Sequence, residues 1–277
     1  MCLILFAYRS HPDCRLILAA NRDEFYDRPT LPVVFWNDAP DLLAGRDLKA
    51  GGTWMGITKK GRFAAITNYR DSTTTIANAP SRGDLVKNFL IGKSRPRDYL
   101  ESLQKNGQDY NGFNLIIGDS NDLFYYSNRE GNVHNIERGV HGLSNHLLNT
   151  PWPKVTQGTA RLRSLISQKQ GFSQEDIFRI LEDQSIPSNE DLPETGVGLE
   201  WERILSPMFI TSDIYGTRCA SILLWKYSGE VTFLERTFDR NAEDNPKIVT
   251  RRHTFTLPAR LKPSNGNAFW IQRTRNN

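Results

Sequence analysis

Cys2-Leu3-Ile4-Leu5-Phe6-Ala7-Tyr8, then Leu16-Ile17-Leu18-Ala19-Ala20, is the stretch from which the rest of the chain is read. The first run is short, apolar and bounded by polar residues, which is the signature of a β-strand. Arg9-Ser-His-Pro-Asp-Cys14 separates it from a second strand over 15–20 at hairpin spacing, so the two are expected to pair antiparallel. If Met1 is removed, which a side chain as small as cysteine permits, Cys2 carries a free α-amine beside its thiol. A nucleophile and a general base on one residue, held at the start of a strand, is an arrangement for covalent catalysis. A thiol in such a position is otherwise a small buried hydrophobe, so the remaining motifs carry the decision.

The same reading finds three further strand pairs. Gly52–Thr58 meets Arg62–Thr67 through Lys59-Lys60-Gly61, 112–118 meets 122–127, and 219–225 meets 231–237 across Lys226-Tyr-Ser-Gly229. Helices are expected between them: one capped by Ser81 and carrying Leu85, Val86, Phe89 and Leu90, a weaker one over Arg97–Lys105, one over Thr156–Lys169, and one capped by Ser173 with Ile177, Ile180 and Leu181 on one face. Ser185–Thr195, rich in proline and acids, reads as a linker. Strands at both ends with helices between hairpins predict an α+β sandwich of antiparallel sheets covered by helices.

The 277 residues are 38% hydrophobic and 10% aromatic, which fits a globular chain with a substantial core. No apolar window reaches the length of a membrane span. Arg9, His11, Asp13 and Arg15 interrupt what would be the core of a secretory signal. Three cysteines, Cys2, Cys14 and Cys219, and no Asn-x-Ser/Thr acceptor point to free thiols in a reducing, cytoplasmic location. The net charge of +4 equals the contribution of Arg260, Lys262, Arg273 and Arg275. It therefore belongs to a basic tail over 258–277 rather than to the body over 1–257, and a nucleic-acid partner is not expected. Phe269, Trp270 and Ile271 would let that tail dock. No Walker loop, Gly-x-Gly-x-x-Gly, His-Glu-x-x-His or Cys-x-x-Cys occurs, so nucleotide, zinc and disulfide-exchange chemistry lack their usual sequence support.

Asn21-Arg22-Asp23-Glu24 ends the second strand, and pairing with the first brings these polar residues near Cys2. Arg22 is suited to favour a thiolate, and Asp23 or Glu24 to hold an α-amine whose ordinary pKa of about 7.7–8.0 fits a base near neutrality. Neighbours on a regular strand face opposite ways, so Arg22 and Asp23 can both address Cys2 only if the strand bends or ends there. Asn68 and Asn145, each at the end of a small or apolar stretch, suit oxyanion stabilisation. Arg218, in Tyr215-Gly-Thr-Arg218, suits a carboxylate or phosphate.

Taken together, Cys2, Leu16–Phe25, Gly51-Gly-Thr-Trp-Met-Gly56, Thr67-Asn-Tyr69, Tyr110-Asn-Gly-Phe-Asn114, Gly142-Leu-Ser-Asn145, Thr150-Pro-Trp152 and Tyr215–Arg218 resemble the NRDE family, that of the transport and Golgi organisation protein 2, from Cys2 to about Leu257. The resemblance implies an N-terminal-nucleophile fold, a four-layer αββα sandwich. By likeness to the cysteine branch that includes penicillin V acylases and bile salt hydrolases, it implies an amidohydrolase acting on a linear N-acyl amide. Cys2 would be nucleophile and base, completed by Arg22, the acid beside it, Asn68, Asn145 and Arg218. That branch carries Arg-Asn-x-Asp where this chain has Asn-Arg-Asp-Glu, which leaves the choice between Asp23 and Glu24 open. Hydrolysis of this kind requires no cofactor. The family also brings an alternative: a non-catalytic carrier of haem, acyl-CoA or lipid using the same cleft, with His141, His146, Cys2 or Cys14 as iron ligands.

Overall fold

The computed structural model describes residues 2–71, 73–239 and 247–258. Phe269, Trp270 and Ile271 lie outside the described residues. The expected first hairpin is present as β1 (Cys2–Tyr8) and β2 (Cys14–Phe25), paired antiparallel from Cys2 opposite Arg22 to Tyr8 opposite Leu16. β1 is apolar at every position because both of its faces are covered. Ile4, Phe6 and Tyr8 enter one core, while Leu3, Leu5 and Ala7 enter another on the opposite face, as the two-residue period of a strand requires.

Two antiparallel sheets account for this. Besides β1 and β2, one sheet contains β10 (Gly139–Leu143), β11 (Tyr215–Lys226), β12 (Glu230–Asp239) and β13 (Lys247–Thr256), in the order β10-β1-β2-β11-β12-β13. The other runs β3 (Thr30–Trp36), β4 (Ala39–Asp47), β5 (Met55–Thr58), β6 (Phe63–Asn68), β7 (Phe113–Gly118), β8 (Leu123–Ser127), β9 (Val133–Asn135) in sequence order. The core between the sheets joins Ile4, Phe6, Leu16 and Leu18 to Leu43, Ile57, Phe63 and Ile116. Each fully buried side chain of this size contributes about 1.5–3 kcal/mol.

Helices close both outer faces. α1 (Arg82–Ile91) and α2 (Pro96–Asn106) lay Leu85, Phe89, Leu100 and Leu103 on the second sheet against Ile66, Leu115 and Tyr126. α3 (Pro153–Ile166) and α4 (Gln174–Leu181) lay Val155, Leu162, Ile177 and Phe178 on the first sheet against Leu5, Ile17 and Ile222. The result is the expected four-layer αββα sandwich. α3 starts and ends three residues before its predicted bounds because Pro153 supplies a first-turn residue with φ preset for a helix. Ser173 caps α4 in a reciprocal box with Asp176, whereas Ser81 stands at the cap of α1 without a side-chain bond. The 185–195 segment contains a single 3₁₀ turn at Asn189–Asp191 and leads to α5 (Leu199–Leu205). Among the described residues, no helix is long and apolar enough to cross a membrane.

Candidate functional site

Three neighbouring strands set the row from which the site is built. Cys2 on β1 and Cys219 on β11 both lie opposite Arg22 on β2. All three therefore project from the same face, that of Ala20 and Leu18, into the space between the sheets. The Arg22 side chain is only 5% exposed. Its guanidinium stacks on Trp54 with Cζ 4.3 Å from the ring centroid, and its Nη2 lies 3.9 Å from Glu24 Oε2. Arg22 Nη1 is buried with no hydrogen-bond partner among the described residues.

The facing conflict between Arg22 and Asp23 is resolved without a bend in β2. Asp23 turns its carboxylate to the opposite face, where it is 1% exposed and Oδ1 accepts 2.7 Å from Thr217 Oγ1. Its backbone N–H is what addresses the Cys2 sulfur. Burial pushes the Cys2 thiol up from its ordinary value; the Asp23 carboxylate pushes the same way, while the Asp23 N–H and Arg22 pull it down. Burial likewise raises Asp23, opposed by Lys154, Thr217 and Arg22. Glu24 instead shares Arg28 with Asp47, the latter accepting 2.9 and 2.6 Å from Arg28 Nε and Nη2. Asp23 is thus the acid in electrostatic reach of Cys2, and Glu24 belongs to a rim of ion pairs.

The match of Thr217 to Asp23 depends on an irregularity in β11. Thr217 lies opposite Asp23 and Cys219 opposite Arg22, so Arg218 is an extra residue, a β-bulge. Arg218 Nη1 donates to the Phe25 and Arg28 carbonyls at 2.8 and 3.0 Å. It clamps the turn after β2 and lines a neighbouring hollow with Arg28, Leu31 and Arg251, away from Cys2.

Cys2, half-buried, opens onto a cleft of about 450 Å³ lined by Arg22, Asp23, Glu24, Trp54, Asn68 and Arg82, among others. Asn68, at the end of β6, makes no side-chain hydrogen bond among the described residues, so its amide is available to a ligand. Asn145 lies behind it, fully buried, and Nδ2 donates 2.9 Å to the Asn68 carbonyl. The structure therefore brings Cys2, Arg22, Asp23 and Asn68 to one cleft, keeps Asn145 as the support of Asn68, and holds Arg218 at the adjoining turn.

Several contributors are not among the site residues expected from the sequence, although Thr67, Asn114 and Ser144 lie within its motifs. Ser144 Oγ donates 3.2 Å to the Cys2 carbonyl, and Thr67 Oγ1 donates 2.6 Å to the Ser144 carbonyl. Asn114, from the Tyr110–Asn114 motif, donates to Thr67 and to the His146 carbonyl and accepts from Tyr125, tying β7 and β8 to the 144–148 loop. Lys154, in the first turn of α3, is buried with Nζ 2.7 Å from the Leu205 carbonyl, and burial pulls it down to about 8 against Asp23. Arg70 and Glu202 form a buried ion pair beside these groups.

The donors named for iron do not converge. His141 Nε2 lies 3.0 Å from the Glu137 carbonyl and Nδ1 3.1 Å from Asn149 Nδ2, His146 Nδ1 lies 2.9 Å from Thr150 Oγ1, and Cys14 is buried in the core beneath α3 and α4. Of the four, only Cys2 lines the cleft. These residues do not fit a paired-ligand haem site.

Comparison with known proteins places this geometry in context. A family model described as Transport and Golgi organisation 2 matches residues 1–240. The chain is 34% identical to the Transport and Golgi organization 2 homolog of Mus musculus, covering 93% of this chain and 99% of that one. It is 35% identical to the Homo sapiens homolog with the same coverages. Among solved structures it is similar to the Caenorhabditis elegans N-acylethanolamine-hydrolyzing acid amidase ortholog, at 12% identity and a TM-score of 0.49 over 80% of this chain and 92% of the other.

Proposed function

We propose, from the premise that this chain belongs to the transport and Golgi organisation 2 family, that it is an N-terminal-cysteine hydrolase acting on a linear N-acyl amide. The observation that carries this reading is the placement of the Cys2 sulfur. It lies on the inter-sheet face at the mouth of a cleft, opposite a buried arginine whose Nη1 has no described partner, and it receives a backbone N–H from Asp23.

With Met1 removed, the α-amine of Cys2 takes the thiol proton as the substrate carbonyl arrives. The buried thiol disfavours a resting thiolate, while Arg22 and the Asp23 N–H favour the anion once it forms. Sulfur adds to the amide carbon, and the oxyanion accepts from the Asn68 amide, which has no other described partner. Collapse breaks the C–N bond, the leaving amine takes the proton from the α-ammonium, and water then releases the acid from the thioester. Asp23, on the far face, steadies the ammonium in between. No metal ion or cofactor enters these steps.

Intact-mass measurement of the protein from its own cell, before and after an acylating probe, tests this. The expected result is a chain lacking Met1 that gains one acyl group, and a Cys2→Ala protein that gains none. Quantitative retention of Met1, or equal labelling of Cys2→Ala, would sink the reading.

A further inference from the structure

The lining of the Cys2 cleft carries more cations than acids: Arg22, Arg28, Lys49 and Arg82 against Asp23, Glu24 and Asp47. Arg82, the first residue of α1, donates from Nη1 to the Gly112 carbonyl at 2.9 Å and has no carboxylate within ion-pair distance among the described residues. Burial pushes its guanidinium below the ordinary arginine value, yet an arginine stays charged in a protein. The Lys49 side chain, also in the lining, has no carboxylate partner among the described residues either. Arg22 also lines the cleft, and its Nη1 is buried and without a hydrogen-bond partner among the described residues.

The acids of the cleft make no ion pair with Arg82 or Lys49 among the described residues. Asp47 and Glu24 are shared by Arg28, with Glu24 also at 3.9 Å from Arg22 Nη2, and Asp23 faces Thr217 on the other side of β2. The start of α1 also faces the cleft through Ser81, Arg82 and Gly83: Ser81 makes no side-chain cap, and Asp84, the acid of the first turn, is paired with Lys87 at 2.6 Å. A partly buried guanidinium with four unused donors, a buried unsatisfied Nη and an uncapped helix start make a receptor for a compact anion.

We propose that the molecule bound beside Cys2 carries a compact anionic group, a carboxylate or a phosphate monoester, that docks on Arg82 and the start of α1 beside Arg22. This rests on the amide-hydrolase reading for what happens at the carbonyl, and supplies the class of substrate: an N-acyl amide with an anion a few bonds from the scissile bond.

Calorimetric titration of the full-length Cys2→Ala protein with three matched amides separates the two readings. N-dodecanoylethanolamine is neutral, N-dodecanoylglycine carries a carboxylate, and N-dodecanoyl-O-phosphoethanolamine carries a phosphate; whichever anion binds more tightly identifies the source. At least one is expected to bind about tenfold or more tighter than the neutral amide, equivalent to about 1.4 kcal/mol. Adding Arg82→Gln should collapse that preference to within about threefold, Arg82→Lys should retain part of it, and Arg252→Gln, on exposed surface, should keep it whole. Equal affinity for all three amides, no saturable binding of any, or a preference that survives Arg82→Gln in a cooperatively melting protein overturns the proposal. If the preference holds while the unmodified enzyme cleaves none of the three, the hydrolase reading is what suffers and the anion site stands.

Discussion

Breaking the Arg70–Glu202 pair is the perturbation whose cost the structure specifies most directly. Each side chain is 5% exposed, and Glu202 also accepts from the Thr195 N–H and hydroxyl. Arg70→Met leaves a carboxylate out of water with only the Thr195 donors, and removing one member of a buried pair costs about 3–5 kcal/mol. At about 2–4 °C per kcal/mol for a chain of this size, the melting temperature should fall by roughly 6–20 °C. The double variant Arg70→Met/Glu202→Leu removes the stranded charge as well, and should recover to within about 2 kcal/mol of the parent because the pair's own desolvation cost disappears with it. Urea and thermal unfolding of the parent, both single variants and the double variant, followed by circular dichroism at pH 7, give the full cycle. A loss below about 1 kcal/mol for Arg70→Met, or a double variant as unstable as the summed singles, would refute the assignment of this pair as a desolvated, mutually dependent unit.

Two further outcomes are expected. Lys154 releases its proton at about 8 in the folded protein against 10.5 when unperturbed. Between those values the unfolded chain holds more protons, so stability rises with pH there, by on the order of 2 kcal/mol. Urea midpoints at pH 7.5, 9 and 10 should show this rise in the parent and not in Lys154→Met; parallel profiles would contradict it. In Gly52→Ala, the new Cβ would stand 2.6 and 2.8 Å from the carbonyl carbon and oxygen of Gly83, neither of which is free to swing aside. The loop bearing Trp54 should lift from α1 at a cost of about 1–3 kcal/mol, with faster alkylation of Cys2 by iodoacetamide. An unchanged midpoint and alkylation rate would show that the loop does not depend on this close approach.

Much of the first sheet was legible because its inner strands are short apolar runs bounded by polar turn residues, and that length and those boundaries favour a strand over a buried helix. The hairpins joined by short polar turns were equally plain. β3 was not: Pro32 interrupts it, and Leu31 and Val34 are exposed, both tolerable because β3 is an edge strand whose outer ladder needs no N–H. β13, an edge of the other sheet, alternates exposed and half-buried side chains and carries adjacent arginines, so it reads as surface. Within the site, Cys2 and Arg22 were predictable as partners from hairpin register. The placement of Asp23 was not, since its side chain faces the helices, where it accepts from Thr217, while its backbone N–H is turned to Cys2. Asn145 showed the right residue type but a supporting position, and Arg82 and Lys154 acquire their settings only when α1 and α3 dock on different sheets.

The extra residue at Arg218 gives β11 two phases. From Cys219 onward, odd-numbered side chains such as Leu223 and Trp225 point between the sheets, whereas Thr217, also odd, points with Asp23 toward the helices. The strand therefore behaves like a text with a frameshift in it. Deleting Arg218 itself would leave Thr217 opposite Asp23 and Cys219 opposite Arg22 in a regular ladder, whereas deleting a paired residue on either side of it would turn that half of β11 over or slide it past β2 and expose its core face. Substitutions along Tyr215–Lys226 are judged by size and polarity, but changes of length are judged by parity, and Arg218 is where this strand can lose a residue without reversing the faces of its neighbours.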